Sequence, residues 1–285
     1  MENIHQKRLT KGFFRSLFAT TLGKMASFGQ EHSEKNIHSG IEINSEEDST
    51  LEDSLEWDRF YKAFEDRFRG SKKAIYTRFE ERYKGDLECQ FEQVKAGRVG
   101  SNLCIDLGCG NGEFLDLAKK VGFRTIGIDQ SNINGLNDSH EYFSLDILEY
   151  LKNKKENSVS IVGLFHVIEH CPAPYMLKVF REVQRILCQR GRLFVETPSI
   201  FSLWASQRQF FLDPTHSAPV HPDYISYLMD YCKFRDHEVR EFDEVVHPSR
   251  PKFSDIDCDR NLLVELKKWD KWFHGPMDIA CIARK

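Results

Sequence analysis

The sequence predicts an α/β fold: a doubly wound parallel sheet with helices on both faces. Three observations lead to it. From Leu103 onward, short apolar runs rich in strand formers alternate with amphipathic helical patterns. The first strand passes into its helix through a glycine turn, LCIDLGCGNGEF from Leu103 to Phe114. The second run, Phe123 to Ile128, closes on another carboxylate, Asp129, just as the first closes on Asp106.

Gly108 and Gly110 let the backbone turn sharply and approach a ligand without a Cβ in the way, while the N–H groups of the new helix offer donors. A dinucleotide fingerprint wants its third glycine three residues after the second. Glu113 stands there instead, and a carboxylate beside a diphosphate is repulsive. The spacing Asp106, Gly108, Gly110, Gly112 resembles motif I of the class I S-adenosyl-L-methionine (SAM) methyltransferases. That resemblance covers about residues 100–285 and implies a seven-stranded, Rossmann-like sheet with SAM as cofactor. It puts Gly108 and Gly110 at the methionine end and Asp106 among the cofactor-binding residues. The alternatives are a nicotinamide or flavin enzyme, or a glycine turn with no ligand.

With 285 residues, 40% hydrophobic and 29% charged, the chain suits one α/β domain plus N-terminal material. A net charge of -4 gives no basic footprint, so nucleic acid is not expected as a substrate. No apolar run approaches the ~20 residues of a membrane span. Eight cysteines are scattered without a CxxC pair, which suggests neither a zinc ribbon nor a disulfide framework and suits a reducing, cytoplasmic location.

Residues 1–30 form a basic amphipathic segment, with Phe14, Leu17, Phe18, Leu22 and Met25 at helical spacing among Lys7, Arg8, Lys11, Arg15 and Lys24. Such a segment docks on a partner protein, lies on an anionic membrane face, or is a disordered tail; on a membrane the protein would be peripheral to the inner bilayer. Residues 31–52 are acidic and polar, the composition of a flexible linker. Residues 53–99 carry the N-terminal helices. Trp57, Phe60, Tyr61, Phe64 and Phe68 give an aromatic-faced helix over 51–69, and Ser71 caps a second through about Lys84. The aromatic stripe reads first as core packing. FYKAFEDRFRGS also resembles the first segment of methyltransferases from bacterial surface-polysaccharide (O-antigen or capsule) clusters, whose N-terminal helices cover the cofactor pocket. By that resemblance Tyr61 is a cofactor contact, and Arg67 and Arg69 are candidates for SAM or an anionic acceptor.

After the helix Glu113–Val121, Asp129 stands 23 positions beyond Asp106, near the ~20-residue interval at which a second-strand carboxylate reaches a ribose. A solvated loop aspartate is the plain alternative. Tyr142 to Leu145 is a third strand, and Asp146-Ile147 falls where the family meets the adenine with a polar group and an apolar shelf. Asp146 equally suits an N-cap for the helix 148–152.

Ser158 to Phe165 is the fourth strand, followed at once by HVIEH, His166 to His170. The string matches H-x-x-E-H of inverted metallopeptidases, but Cys171, Pro172 and Pro174 interrupt the helix such a zinc site needs. It also resembles the segment after the fourth strand of class I methyltransferases, which implies His166 near the cofactor and His170 nearer the acceptor. A histidine that only caps the turn is the alternative for each.

A helix over 175–187 and a fifth strand over 192–196 lead into the loop 197–223, TPSIFSLWASQRQFFLDPTHSAPVHPD, on the ligand side of the sheet. Its FxxDPTHxxPVHP pattern is similar to the polysaccharide-cluster enzymes. Asp213, Thr215, His216 and His221 bring carboxylate, hydroxyl and imidazole together, with Arg208 as a cation for an anionic acceptor. A proline-stiffened lid is the alternative. A helix over 224–231, a sixth strand over 234–242, a helix over 257–272 and a last strand over 277–282 complete the chain. The resemblance implies that the last strand inserts antiparallel beside the sixth.

The expected reaction is methyl transfer from SAM to an oxygen of a sugar or sugar-linked group in bacterial cell-surface glycan synthesis, with His170 and His216 as candidate bases and no metal. A small metabolite, quinone or lipid acceptor at a membrane is the alternative. A non-enzymatic scaffold of the same fold is a third.

Overall fold

The computed structural model of the chain describes residues 45–130, 140–244 and 259–285. The amphipathic segment 1–30 and the linker up to residue 44 lie outside the described residues. The chain separates into two units, Met1–Trp57 and Asp58–Lys285. Helix α1 (Ser45–Phe68) begins in the first, so the linker expected over 31–52 is helical from Ser45 onward.

Helix α2 (Lys72–Lys95) starts where Ser71 accepts from the Ala74 N–H at 3.2 Å. It buries Ile75, Phe79, Tyr83 and Leu87, a stripe of i, i+4 steps, followed by Gln90. That stripe carries the helix through Gly85 to Lys95, beyond the expected end near Lys84, because packing outweighs the ~1 kcal/mol helical cost of one glycine.

The rest is β1 (Leu103–Leu107), α3 (Glu113–Val121), β2 (Arg124–Asp129), β3 (Glu141–Ser144), α4 (Ile147–Asn153), β4 (Val159–Phe165), α5 (Ala173–Ile186), β5 (Leu187–Pro198), α6 (Pro222–Tyr231), β6 (Arg235–Glu244), α7 (Arg260–His274) and β7 (Pro276–Arg284). The seven strands are ordered β3-β2-β1-β4-β5-β7-β6. β1 to β5 pair in parallel, whereas β7 is antiparallel to both β5 and β6. The expected class I sheet is therefore present.

The central strands are buried on both faces, as their continuous apolar runs require. On one face α2 and α3 pack Phe79, Tyr83, Phe114 and Leu117 against Phe165 and Phe194. On the other, α4, α5 and α6 pack Leu151, Phe180, Val183 and Ile225 against Leu107, Leu164 and Val195. No helix among the described residues is long and apolar enough to cross a membrane.

Candidate functional site

The carboxyl ends of β1, β2, β4 and β5 converge on one edge of the sheet, where parallel α/β sheets receive their ligands. The glycine turn forms its centre. Gly108 and Gly110 have φ of +77° and +48°, and Gly112 caps α3 at +77°. A Cβ on Gly108 would stand 2.4 Å from Val167 Cγ2, and one on Gly110 would stand 2.5 Å from Arg69 Nη1. The missing side chains thus make room for two residues of the chain itself. Gly108→Ala adds left-handed strain to that overlap and is expected to cost about 2–4 kcal/mol, read as a lower urea midpoint with an unchanged slope.

Carboxylates crowd this turn. Asp129 Oδ2 accepts from the Gly110 N–H at 3.0 Å. Asp106 is buried and its Oδ1 has no hydrogen-bond partner; both oxygens of Glu113 are equally without one. Burial and the neighbouring Glu113 carboxylate, with Asp129 adding and Arg69 opposing, push the Asp106 carboxyl up to about 7. Arg69 Nη2 lies 3.7 Å from Glu113, and its Nη1 lies 3.8 Å from Glu65. The turn therefore offers acceptors in excess and one guanidinium, a setting for a ligand with an ammonium, hydroxyls and a carboxylate.

Beside it, Asp146 caps α4 by accepting from Leu148 and Glu149 N–H groups at 2.8 and 3.1 Å. Its other oxygen accepts from Tyr175 Oη at 2.7 Å. The alternative reading of Asp146 as an N-cap is thus realised. Ile147 is buried beside Val167, Cys171 and Tyr175 around a small apolar hollow.

At the end of β4, His166 adopts φ +54°, a left-handed conformation that costs a β-carbon residue of order 1 kcal/mol and persists only where its surroundings impose it. They do. Nδ1 lies 3.3 Å from Glu169, and Nε2 lies 3.2 Å from Glu196 and 3.7 Å from Asp278. Burial opposes the charge, but the hydrogen bonds to Glu169 and Glu196 prevail and raise this histidine to about 10. It is an imidazolium at neutral pH, with 42% of its side chain exposed. Glu196 also accepts from Arg82 Nη1 at 2.6 Å and from Tyr83 Oη, while Arg82 Nη2 reaches Asp278 at 3.0 Å. Sequence reasoning missed Arg82, Tyr83, Glu196 and Asp278. The signal for Glu196 was a carboxylate inside the apolar run Leu193–Thr197.

The loop after β5 builds a second polar cluster. Asp213 Oδ1 accepts from the Thr215 hydroxyl at 2.6 Å and the Thr215 N–H at 2.8 Å, and Oδ2 accepts from Tyr61 Oη at 2.8 Å. Thr215 Oγ1 stands 2.9 Å from His170 Nδ1. Since the single hydroxyl hydrogen goes to the carboxylate, the 2.9 Å contact is a bond donated by His170 Nδ1, which leaves Nε2 as the basic atom. Burial lowers His170 below the usual histidine value, with His216 reinforcing and Glu169 and Asp213 opposing. Its ring lies 4.7 Å from that of His216, whose Nδ1 is tied to the Phe210 carbonyl at 2.7 Å.

Three expected site residues stand apart from this cluster. His221 caps α6, accepting from the Asp223 N–H at 3.0 Å. Arg67 lies over the Phe68 ring and Arg208 over Trp204, both exposed.

Residues 79–236 match a family model described as a methyltransferase domain. The chain is 27% identical to a SAM-dependent methyltransferase from Archaeoglobus fulgidus, with a TM-score of 0.67 over 79% of this chain and 100% of that one. It is 18% identical to the Haemonchus contortus phosphoethanolamine N-methyltransferase 2 solved with SAM, with a TM-score of 0.46 over 78% of this chain and 59% of that one. No curated protein matches the sequence.

Proposed function

This chain belongs to the family of SAM-dependent methyltransferases, and from that premise we propose that it methylates an oxygen of a sugar or sugar-linked group in cell-surface glycan synthesis. The observation that carries this reading is the Tyr61–Asp213–Thr215–His170 chain of hydrogen bonds, which ends on a neutral imidazole nitrogen at the ligand edge. A sugar hydroxyl must give up its proton as it attacks, whereas a phosphate oxygen is already anionic. The glycan setting rests on the likeness of residues 60–71 and 210–222 to polysaccharide-cluster enzymes. Seven described cysteines are free thiols, in keeping with a cytoplasmic enzyme.

SAM fits the glycine turn by its donor and acceptor needs. Its bound form supplies a methyl group already activated on a sulfonium, so the protein chiefly positions and desolvates. In this reading the unpartnered Asp106 Oδ1 would accept from the α-ammonium, Arg69 would meet the α-carboxylate beside Gly110, and Asp129 would take the ribose hydroxyls. Ile147 would pack on the adenine, next to Asp146, whose oxygens are held by the cap of α4 and by Tyr175. His166, its ring nitrogens occupied by carboxylates, presents a charged ring near the cofactor without donating a hydrogen bond to it. Asp213, Thr215 and Tyr61 orient His170, and His170 Nε2 takes the hydroxyl proton; His216 is the second candidate base.

Incubating the protein with methyl-labelled SAM and a panel of nucleotide sugars, glycan fragments, amines and isoprenoid quinones tests the acceptor class. Label on a sugar oxygen is the expected result. Label confined to amines or to quinones overturns the reading.

A further inference from the structure

Helix α7 carries an apolar stripe that is largely exposed, with Leu266 alone in it partly buried. Leu262, Leu266, Trp269 and Phe273 follow steps of four, three and four residues and share one face. Leu262, Trp269, Trp272 and Phe273 are 52%, 54%, 58% and 45% exposed. The two indole rings lie side by side with centroids 6.0 Å apart. The adjoining flank is tucked in, with Asp270 buried and bonded to His274 Nδ1 at 2.9 Å.

The charge on this helix is predominantly positive. Arg260, Lys267, Lys268 and Lys271 stand against Glu265 and Asp270, so the helix carries a net charge of +2 within a chain of net charge -4. Glu265 is paired with Lys268 at 2.6 Å and Asp270 is internal, which leaves Lys267 and Lys271 as exposed cations on the helix face away from the apolar stripe. Tryptophans with leucines on one face and lysines on the other match an amphipathic helix lying in a lipid headgroup layer, where indoles enter the acyl boundary and long lysine stems carry their ammonium groups to phosphates.

Its place in the fold gives this surface a purpose. The last turn of α7 meets the acceptor loop: Ser202 Oγ donates to the Phe273 carbonyl at 3.3 Å, and Gly275 abuts the Phe201 carbonyl. The same loop exposes Phe211 and Leu212 before it turns into Asp213 and Thr215. We propose that α7 is an interfacial helix that docks this enzyme on an anionic phospholipid bilayer, bringing the acceptor loop to the lipid surface. The proposal stands apart from the chemistry of the acceptor: it concerns where the enzyme meets it.

The test is flotation of the full chain with vesicles containing about 30% anionic phospholipid, and with purely zwitterionic vesicles, alongside the variants Trp269→Ser/Trp272→Ser and Lys267→Glu/Lys271→Glu. All four positions are exposed, and thermal melts confirm that each variant is folded. Flotation on anionic vesicles alone, weakened about tenfold or more in both variants, is the expected result. Flotation equal to that of the parent in both variants places any binding elsewhere in the chain and overturns the proposal. Absence of flotation by the parent overturns it as well, as does a dimer in solution that the tryptophan variant converts to monomer, which would make a second copy the occupant.

Discussion

His170→Ala is expected to lower kcat by about 10²–10⁴-fold while leaving SAM affinity nearly unchanged. The imidazole touches neither the glycine turn nor Asp129; it ends a chain of hydrogen bonds rooted in Asp213. The pH profile separates a base from a structural histidine. Burial holds His170 below its ordinary value of 6.5, so the basic form dominates at neutral pH, and the parent rate falls only as the pH drops through that lowered value. The variant should lose this acid limb along with the rate. A His170→Ala/His216→Ala protein that keeps both rate and limb rules out proton removal by these residues.

Glu196→Ala should produce the largest loss of stability, about 3–5 kcal/mol, read as a fall of roughly 10 °C in Tm. The Arg82 guanidinium is 6% exposed and His166 is held as an imidazolium; removing Glu196 strips both of a partner at once. Burial works against the ionised Glu196, but the hydrogen bond from His166 and the charge of Arg82 hold it well below the usual carboxylate range. Glu196→Gln keeps the shape and loses the charge, so it should fall between parent and alanine variant. Because Arg82 belongs to α2 and Asp278 to β7, the network ties helix α2 to the sheet edge that carries the site.

The sheet was legible because each strand and helix carries its own period. The glycine turn, the carboxylate Asp129 at the end of the second strand and the Ser71 cap appear where expected, as does the antiparallel last strand, which the family resemblance implied. What stayed hidden is assembled from distant positions. Arg82, Glu196 and Asp278 come from three elements up to 196 residues apart, and nothing local marks a single charge as buried. Arg69 was a candidate for SAM or an anionic acceptor, but its seat over Gly110 was hidden, because that contact joins a helix end to a turn 41 residues on. His221 shows the reverse error. Its place in a histidine-rich loop suggested substrate contact, yet followed by Pro222 at the start of α6 it serves as the helix cap.

The central claim is that Asp106, Gly110 and Asp129 form the seat of the cofactor, and titration calorimetry with SAM in two buffers of different ionisation heat tests it most directly. Asp106, raised to about 7 in the free protein, should lose its proton when an ammonium settles beside it. One-to-one binding with net proton release near neutral pH is therefore expected, weakened about 100-fold in Asp129→Ala. Binding that releases no proton and is indifferent to Asp129→Ala would contradict the account.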